Sequence, residues 1–286
     1  MFKFLLYKFG QFCVHRLPLK LSYAITAFVS DMQCHFSPRD RRAVTNNLKV
    51  IFPSGSEEQI TTLTLEVFRN FGRYLQEFFR MSKFLDREYI ARNVKIENIE
   101  YLDGLLSEGK GGVLLTAHIG NWELGGVILS MLGYPIVAVA LPHKERPVND
   151  LFNHQRERWG VKIVQTNGAI RKCIEFLREN KIVALLADRD FGFSGEVMDF
   201  FGRKAMIPKG PAAFCQKTGA PIIPVFFTRT EDFTFRMVFE KPIYPPQSGD
   251  EHEVLLQLMK QYTTVIERKI REYPTQWLMF REFWVK

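Results

Sequence analysis

The sequence predicts an α/β fold: a single domain with a largely parallel central sheet flanked by helices and preceded by N-terminal amphipathic helices. Three observations indicate this fold class. After residue 110, short apolar segments alternate with amphipathic stretches of helical length. The first apolar segment, 113–117, lacks the alternation of a half-exposed strand and is typical of a strand buried on both faces in a parallel sheet. The length of 286 residues allows one or two domains, and α/β folds of this size are often single.

The composition describes a basic protein with a large apolar content. Hydrophobic residues make up 46% of the chain, 26 residues are phenylalanine, and the mean hydropathy is -0.11. A net charge of +8 favours an anionic partner, which could be nucleic acid, a phospholipid surface, a phosphorylated glycolipid or an acidic carrier protein. The four cysteines are scattered without a CxxC pair, so we expect reduced thiols and neither a disulfide framework nor a metal site.

Residues 1–35 are predicted to form a membrane-associating helical segment ahead of the α/β domain in 36–286. Charges recur too often here for a transmembrane helix, and no cleavage site of a signal peptide follows. We interpret the segment as a helix lying in the membrane plane, with a first helix packed on the domain as the alternative. The basic residues are Lys3, Lys8, Arg16 and Lys20, and the residues expected to insert are Phe2, Phe4, Leu5, Leu6, Phe9 and Phe12.

Further elements follow from hydrophobic spacing. Residues 57–81 carry apolar residues at helical spacing and predict a core-facing helix. The uncharged stretch 124–142 is interrupted by Gly133-Tyr134-Pro135, so it predicts a helix followed by a buried strand and not a membrane span. The other predicted helices are 120–132, 148–159, 169–179 and 253–272, and the predicted strands are 113–117, 136–141, 161–164, 182–187, 222–227 and 233–239.

The stretch from Gly111 to Leu132 contains a histidine and a carboxylate in an otherwise uncharged run. His118 follows the first buried strand, Gly120 and Asn121 form the expected turn and N-cap, and Glu123 lies in the next helix. The two side chains can meet only if His118 precedes the helix, because a spacing of five separates them around a regular helix. A carboxylate that orients an imidazole makes it a general base, and no serine or cysteine nucleophile lies nearby. His118 would then activate a substrate hydroxyl, although the residues alone equally allow a strand-end histidine and a solvated Glu123.

His118-Ile-Gly-Asn-Trp-Glu123 resembles the HX4(D/E) motif of the lysophospholipid acyltransferase superfamily. The form H-x-G-N-W-E is similar to that of the bacterial lipid A biosynthesis (lauroyl/myristoyl) acyltransferases. A second block, from Asn46-Asn47-Leu48 to Phe52-Pro53, resembles their N-L-x-x-x-F-P signature, and Gly72-Arg73 and Glu77 also match. The resemblance covers nearly the whole chain from about residue 40.

This resemblance implies an O-acyltransferase of lipid A, and hence lipopolysaccharide, biosynthesis. The enzyme would move a fatty acyl chain from a thioester to a hydroxyl of a lipid A precursor. The expected donor is the thioester of acyl carrier protein, and the thioester of coenzyme A is the alternative. The resemblance implies that the enzyme needs no cofactor. The implied partners are acyl carrier protein, an anionic membrane surface and the glycolipid, and nucleic acid is not among them. The implied location is the cytoplasmic face of the bacterial inner membrane. Another glycolipid, such as a phosphatidylinositol mannoside, or a lysophospholipid is the alternative acceptor.

Further candidate residues lie at predicted strand ends and loops, where α/β sheets place their ligands. Arg146, Arg156 and Arg158 could pair with phosphates, although surface arginines are as often solvated, and the resemblance favours the R-x-R pair. Asp188-Arg189-Asp190 follows the strand 182–187 and could hold a divalent cation, as in many glycosyltransferases. The resemblance, which extends to Phe191-Gly192, implies instead that the first acid organises the site without a metal.

The segment 199–211 is predicted to be a loop that leads into a helix. Its F-F-G-R-x-A-x-x-P-x-G-P run resembles the same family, and Pro208 and Lys209 would lie at an anion-binding helix start. The predicted catalytic residues are thus His118 and Glu123, with no metal ligand. The predicted substrate-binding residues are Asn121, Arg146, Arg156, Arg158, Asp188, Arg189, Asp190, Gly202, Arg203 and Lys209. A DxD-dependent glycosyltransferase and a non-catalytic membrane-binding protein are the alternatives from other functional classes.

Overall fold

The computed structural model describes residues 2–165, 168–190, 195–230 and 234–285, apart from the side chain of Phe2. The helices are α1 (Phe2–Arg16), α2 (Leu19–Phe36), α3 (Pro38–Ile51), α4 (Glu57–Arg80), α5 (Arg87–Asn93), α6 (Glu100–Ser107), α7 (Trp122–Met131), α8 (Arg146–Glu157), α9 (Ala169–Arg178), α10 (Gly210–Thr218) and α11 (Glu251–Glu272). The strands are β1 (Val94–Glu97), β2 (Gly112–Thr116), β3 (Ile136–Ala140), β4 (Lys162–Gln165), β5 (Ile182–Leu186), β6 (Glu196–Phe200), β7 (Arg203–Ile207), β8 (Ile222–Arg229) and β9 (Phe235–Phe239). Short 3-10 helices span Met81–Lys83 and Pro274–Gln276.

Seven strands form one sheet in the order β1-β9-β8-β2-β5-β3-β4. The five strands from β8 to β4 run parallel, β9 is antiparallel to β8, and β1 is parallel to β9. The predicted α/β fold with a largely parallel central sheet is therefore confirmed. The strands predicted after residue 110 are present with ends shifted by a few residues, except that 233 lies outside the described residues.

Helices cover both faces of this sheet. Val113 and Leu115 belong to the core that also contains Tyr262 of α11, whereas Leu114 belongs to the core that contains Leu124 of α7. Successive residues of β2 thus enter opposite layers, and both layers exclude water. Burial on both faces explains why the strand sequence has no polar alternation.

The predicted loop 199–211 is wrong, because most of it belongs to a β-hairpin. β6 and β7 pair antiparallel, with Phe201 and Gly202 at the turn, both at positive φ. Phe200, Ala205 and Ile207 are buried while Asp199 and Lys204 are exposed, as expected for a two-stranded ribbon with one protected face. Gly202, a glycine between two short segments of strand length, is the sequence feature that could have predicted this hairpin turn.

The N-terminal helices pack on α4, so the residues before 36 contact the main domain directly. Thr26 of α2 donates to Gln76 Oε1 at 2.6 Å, and Arg69 of α4 forms a salt bridge with Asp31 at 2.7 Å. Gly72 allows this close helix contact, because a side chain there would overlap Ser30. The predicted core-facing side of residues 57–81 is confirmed, with Ile60, Val67 and Phe78 buried in α4.

α1 also has an inner and an outer side. His15 Nε2 lies 2.7 Å from the Phe79 carbonyl oxygen, and the Tyr7 ring packs edge-on against Phe152 at 5.5 Å between centroids. Phe4 packs against the core, which corrects the prediction that it inserts into lipid. Leu5, Leu6, Phe9 and Phe12 are exposed, as that prediction required. Within the described part of the chain, no helix has the length and hydropathy needed to cross a bilayer.

Candidate active site

His118 and Asp188 follow adjacent parallel strands and meet at their carboxyl ends. Asp188 Oδ1 lies 2.7 Å from His118 Nδ1, and Asp188 Oδ2 accepts a hydrogen bond from the His118 backbone N–H at 2.9 Å. Trp277 Nε1 donates to the same Oδ2 at 3.0 Å. The Asp188 side chain is fully buried. Asp188 is therefore the acid that orients His118.

The electrostatics of the pair fix the protonation state of the imidazole. Burial alone would raise the pKa of Asp188, but its interactions with His118 and the charge of Arg189 outweigh burial and lower this pKa below its ordinary value. An ionised carboxylate only accepts hydrogen bonds, so His118 Nδ1 carries the hydrogen and Nε2 has a free lone pair. Burial lowers the pKa of His118, with Asp188 opposing that shift, so the imidazole is neutral at neutral pH. His118 can thus act as a base.

The prediction that Glu123 orients His118 is wrong. Glu123 lies in the first turn of α7 and forms a bidentate ion pair with Arg156 of α8, with Nε to Oε2 at 2.8 Å and Nη2 to Oε1 at 2.5 Å. The side chains are only 11% and 12% exposed, and the Glu123 charge holds the pKa of the guanidinium above its ordinary value although burial lowers it. Arg156 also donates to Asn153, so most of its donors are used within the protein. The pair fixes α7 against α8 instead of supplying the partner of His118.

The turn after His118 is held by backbone hydrogen bonds. Gly120 has a φ of +66°, and a side chain there would overlap the carbonyl group of Phe227. Its N–H donates to the Gln276 carbonyl at 2.9 Å, and the Asn121 N–H donates to the Phe227 carbonyl at 2.9 Å. Asn121 Oδ1 accepts from Leu124 N at 3.1 Å, which confirms the predicted N-cap of α7.

Asn121 is a support for this turn and not an exposed binding group. It is 1% exposed, and its Nδ2 donates to Glu77 Oε2 at 2.8 Å. Both functional ends of the amide are therefore used inside the protein, which corrects the prediction that Asn121 contacts the substrate. The sequence predicts two roles for Asn121, as the N-cap of α7 and as a substrate ligand. Its burial is consistent only with the N-cap role.

A buried ion pair lies beneath the turn. Arg229 of β8 binds Glu77 of α4 through two hydrogen bonds of 2.8 and 2.7 Å, and Tyr23 of α2 donates to Glu77 Oε1 at 3.0 Å. Arg229 Nη1 also donates to Asn70 at 2.9 Å. The sequence signals for this network were the position of Glu77 inside the apolar stripe of α4 and its match to the family. The network connects α2 to the turn after His118.

The C-terminal segment completes the site, and sequence reasoning missed it. Trp277 binds Asp188, and Leu278 N donates to the His118 carbonyl at 2.8 Å. An isolated β-bridge joins Ile119 to Trp277. The segment 277–279 thus runs alongside His118 and Ile119. Its position some 160 residues after His118 gives no local sequence signal for this contact.

The D-x-D cluster is used for hydrogen bonds within the protein. Both Asp188 oxygens have protein partners, and Asp190 Oδ2 accepts from Gly195 N at 2.8 Å. Among the residues with described positions, no group of three or more His, Cys, Asp and Glu side chains is placed to hold a metal ion. The metal alternative for this motif therefore has no ligand set in the described ranges, while Phe191-Gly192 lies outside them.

The other predicted binding residues lie further out. Arg146 is exposed near Asp150 at 3.8 Å, and the Arg158 guanidinium lies 5.6 Å from the Trp159 ring. Gly202 and Arg203 are in the exposed hairpin turn, and Lys209 lies 3.6 Å from Glu196. In the described structure none of these five residues is hydrogen-bonded to His118 or Asp188. Contact of Arg146, Arg158, Gly202, Arg203 and Lys209 with a substrate stays a prediction.

Comparisons with known proteins assign the chain to a family. Residues 1–286 match the family model described as bacterial lipid A biosynthesis acyltransferase. The phosphatidylinositol mannoside acyltransferase of Mycolicibacterium smegmatis is 30% identical over 76% of this chain and 70% of that protein. The Mycobacterium tuberculosis H37Rv protein of the same description is 28% identical over 88% of this chain and 78% of its own length. The Escherichia coli lipid A biosynthesis lauroyltransferase is 22% identical over 93% and 85%.

A solved structure of a 1-acyl-sn-glycerophosphate acyltransferase from Thermotoga maritima covers 89% of this chain and 99% of its own, with a TM-score of 0.42 and 15% identity. At that similarity it adds nothing to the assignment. The match of the family model over residues 1–286 decides the family. The protein is an acyltransferase of the bacterial lipid A biosynthesis acyltransferase family.

Proposed function

We propose that the protein transfers a fatty acyl chain from an acyl thioester to a hydroxyl group of a phosphorylated glycolipid, with His118 as the general base. The observation that carries this proposal is the 2.7 Å contact between His118 Nδ1 and the buried Asp188 carboxylate. It leaves Nε2 as an unprotonated acceptor at the carboxyl edge of the sheet. A base held in this way suits direct attack by an alcohol, and no covalent enzyme intermediate is needed.

The reaction proceeds through proton transfers at one nitrogen. His118 Nε2 takes the proton of the acceptor hydroxyl as its oxygen bonds to the thioester carbonyl carbon. The carbonyl π electrons move to oxygen and form a tetrahedral intermediate. The carbonyl then re-forms, the carbon–sulfur bond breaks, and the leaving thiolate takes the proton from Nε2. Asp188 holds the Nδ1–H throughout and stabilises the imidazolium between the two transfers.

The proposed acceptor is a lipid A precursor, and a phosphatidylinositol mannoside is the second candidate. The family description supports the first, and the higher identity to the two mycobacterial phosphatidylinositol mannoside acyltransferases supports the second. Both acceptors carry sugar hydroxyls and phosphate. The proposed donor is acyl carrier protein, because a chain with a net charge of +8 attracts an acidic carrier, and acyl coenzyme A is the alternative. No cofactor is needed for the proposed steps.

We propose that the enzyme lies on a membrane surface, which the family resemblance implies is the cytoplasmic face of the bacterial inner membrane, and α2 supports the contact with lipid. The side of α2 that faces α4 carries polar residues, among them the buried Ser22 and Ser30. The side that faces outward, which we call the outer face of α2, is apolar. A surface helix in water has its apolar side toward the protein and its polar side outward, and α2 has the reverse arrangement. An exposed apolar face of this kind suits contact with lipid. The outer face of α2 consists of Leu21, Ile25, Phe28, Val29, Met32 and Phe36, all of them exposed.

The test is acyl transfer by the purified protein. Lipid A precursor and phosphatidylinositol mannoside would each be offered with acyl carrier protein and coenzyme A thioesters, and the product ester identified by mass spectrometry. We expect transfer to one glycolipid and its loss in His118→Ala. The matched control is His252→Ala, since His252 lies in the exposed first turn of α11. Normal transfer by His118→Ala, or no transfer to any acceptor by the wild type, would contradict the proposal.

A further inference from the structure

Arg189 is a guanidinium in the site without a carboxylate hydrogen-bonded to it. Its Nε contacts the Met279 sulfur at 3.3 Å, and its Nη2 reaches the Leu278 carbonyl oxygen at 3.5 Å. A thioether is a weak acceptor, and 3.5 Å is the limit of a hydrogen bond. In the described ranges Arg189 Nη1 has no hydrogen-bond partner. The five N–H donors of this side chain are therefore mostly unused.

Two other arginines near the site, Arg156 and Arg229, are each paired with a carboxylate. Arg156 binds Glu123 and Arg229 binds Glu77, each through two hydrogen bonds. Arg189 differs from both. Burial lowers the pKa of Arg189, and the attraction of nearby Asp188 does not restore it. The guanidinium of Arg189 is thus enclosed without a carboxylate hydrogen-bonded to it. An anionic oxygen of a ligand would supply such a partner.

The guanidinium lies beside the catalytic turn. Arg189 directly follows Asp188, and its contacts are Leu278 and Met279, the segment that also donates to the His118 carbonyl. The charge of Arg189 contributes to the lowered pKa of His118, after burial as the main cause. A positive charge close to the general base can stabilise the negative charge that develops during acyl transfer.

Tyr74 of α4 supplies a second unused donor. Its side chain is buried, and its ring stacks on Trp122 with 4.6 Å between centroids, while Trp122 packs edge-on against His118 at 4.9 Å. Within the described residues the Tyr74 hydroxyl has no hydrogen-bond partner. Burial raises the pKa of Tyr74, with Glu123 adding to the shift and Arg189 opposing it, so the phenol stays protonated and can donate.

We propose that Arg189 and the Tyr74 hydroxyl donate hydrogen bonds to the carbonyl oxygen of the acyl thioester as that oxygen becomes the oxyanion of the tetrahedral intermediate. This role rests on the proposed acyl transfer and adds two residues to it. The electron pair that His118 drives onto the carbonyl oxygen is stabilised by both donors, and it returns when the carbon–sulfur bond breaks. Donors aimed at charge that develops only in the transition state raise kcat more than they lower KM.

The test compares Arg189→Met and Tyr74→Phe with controls that remove the same groups elsewhere. The controls are Arg171→Met, whose exposed guanidinium contacts Glu175, and Tyr134→Phe, whose hydroxyl binds Asp103. Loss of one oxyanion donor typically lowers kcat by about 100- to 1,000-fold, and we expect this for Arg189→Met with KM little changed. Tyr74→Phe should lower kcat in the same direction, and both variants should bind a phosphonate analogue of the tetrahedral intermediate less tightly in calorimetry. The controls should resemble the wild type.

Two further measurements separate this role from others. Arg189→Met should unfold at the wild-type temperature or above it, because it removes a charge that the fold disfavours; a lower unfolding temperature with a matching loss of active protein would assign Arg189 a structural role. An increase in KM for the phosphorylated acceptor at unchanged kcat would make Arg189 a phosphate ligand and overturn the oxyanion role. If the wild type is active and both variants have the same kcat as the wild type, only this inference is overturned. A wild type without acyl transfer overturns the proposed function and the inference together.

Discussion

His118 and Asp188 occupy the same register of two neighbouring parallel strands. Thr116 of β2 pairs with Leu186 of β5, and each acid–base partner follows two residues later, which brings Nδ1 and Oδ1 to 2.7 Å. The pair is therefore positioned by the sheet and not by the helix that carries Glu123. A sheet register is rigid because a shift by one residue would turn every buried side chain of the strand to the other face.

Asp188→Asn should lower kcat steeply while the protein stays folded. The amide can present its N–H to Nδ1, so the imidazole loses the tautomer in which Nε2 is a base. We expect a loss on the order of 100- to 10,000-fold, and a His118→Ala/Asp188→Asn double variant should be little worse than His118→Ala, since the two residues act as one unit. Steady-state kinetics of the three variants measure this. Wild-type kcat in Asp188→Asn would remove Asp188 from the mechanism.

The ion pair of Glu123 and Arg156 should contribute mainly to stability. Removing one partner leaves the other charge enclosed, so Glu123→Gln should lower the free energy of unfolding by about 3–5 kcal/mol. Glu123→Gln/Arg156→Met should recover part of that loss, because no charge remains unpaired. Urea unfolding measures both, with Arg171→Met/Glu175→Gln as the exposed control pair, worth about 0–1 kcal/mol. A single variant as stable as the wild type would contradict this assignment.

The pH dependence of kcat/KM should reflect a histidine whose pKa lies below its ordinary value. Burial lowers the pKa of His118 below its ordinary 6.5, and only the unprotonated imidazole is active. Activity should therefore fall as the pH decreases, with a midpoint below 6.5, and reach a plateau on the alkaline side of that midpoint. Asp188→Asn removes a charge that raises this pKa, so its midpoint should move lower still. A midpoint above 7 in the wild type would show that another group titrates.

Membrane binding should depend on the outer face of α2 as well as on the basic residues of α1. Deleting residues 1–30 is a poor test, because it would remove Tyr23 and uncover Glu77. Phe28→Ser/Val29→Ser/Phe36→Ser leaves the inner side of α2 intact and should reduce flotation with anionic liposomes. Ile170→Ser, at another exposed apolar position, is the control.

High salt should weaken this binding without abolishing it. Each basic residue near an anionic surface contributes about 1 kcal/mol that salt screens, whereas apolar insertion is insensitive to salt. Flotation at low and high salt separates the two contributions. Equal binding of the triple variant and the wild type at high salt would place the membrane contact elsewhere.

Chelation should leave acyl transfer unchanged. The proposed base is an imidazole, and both carboxylate oxygens of Asp188 already bind His118 and Trp277. Assays with and without EDTA measure this directly. Loss of activity on chelation and its return with Mg²⁺ or Mn²⁺ would favour a metal-dependent reaction at the D-x-D cluster.

The sequence by itself determined the fold class, the order of most elements and the position of the turn after His118. These features have local signals: apolar runs of strand length, helical spacing in α4 and α11, and Gly120-Asn121 as turn and cap. The resemblance at His118 added the family, which the comparison with known proteins confirmed.

Only the tertiary structure decided which carboxylate meets His118. Glu123 is five residues away in sequence and Asp188 is seventy, so sequence proximity favoured the wrong acid. The register of β2 and β5 places Asp188 at the imidazole, while Glu123 is bound by Arg156 of α8 in a bidentate ion pair. Trp277, which is also distant in the sequence, reaches Asp188 because its segment pairs with Ile119. Strand register and helix packing join residues distant in the chain, and hydrophobic spacing along a single segment carries no information about which of them will touch.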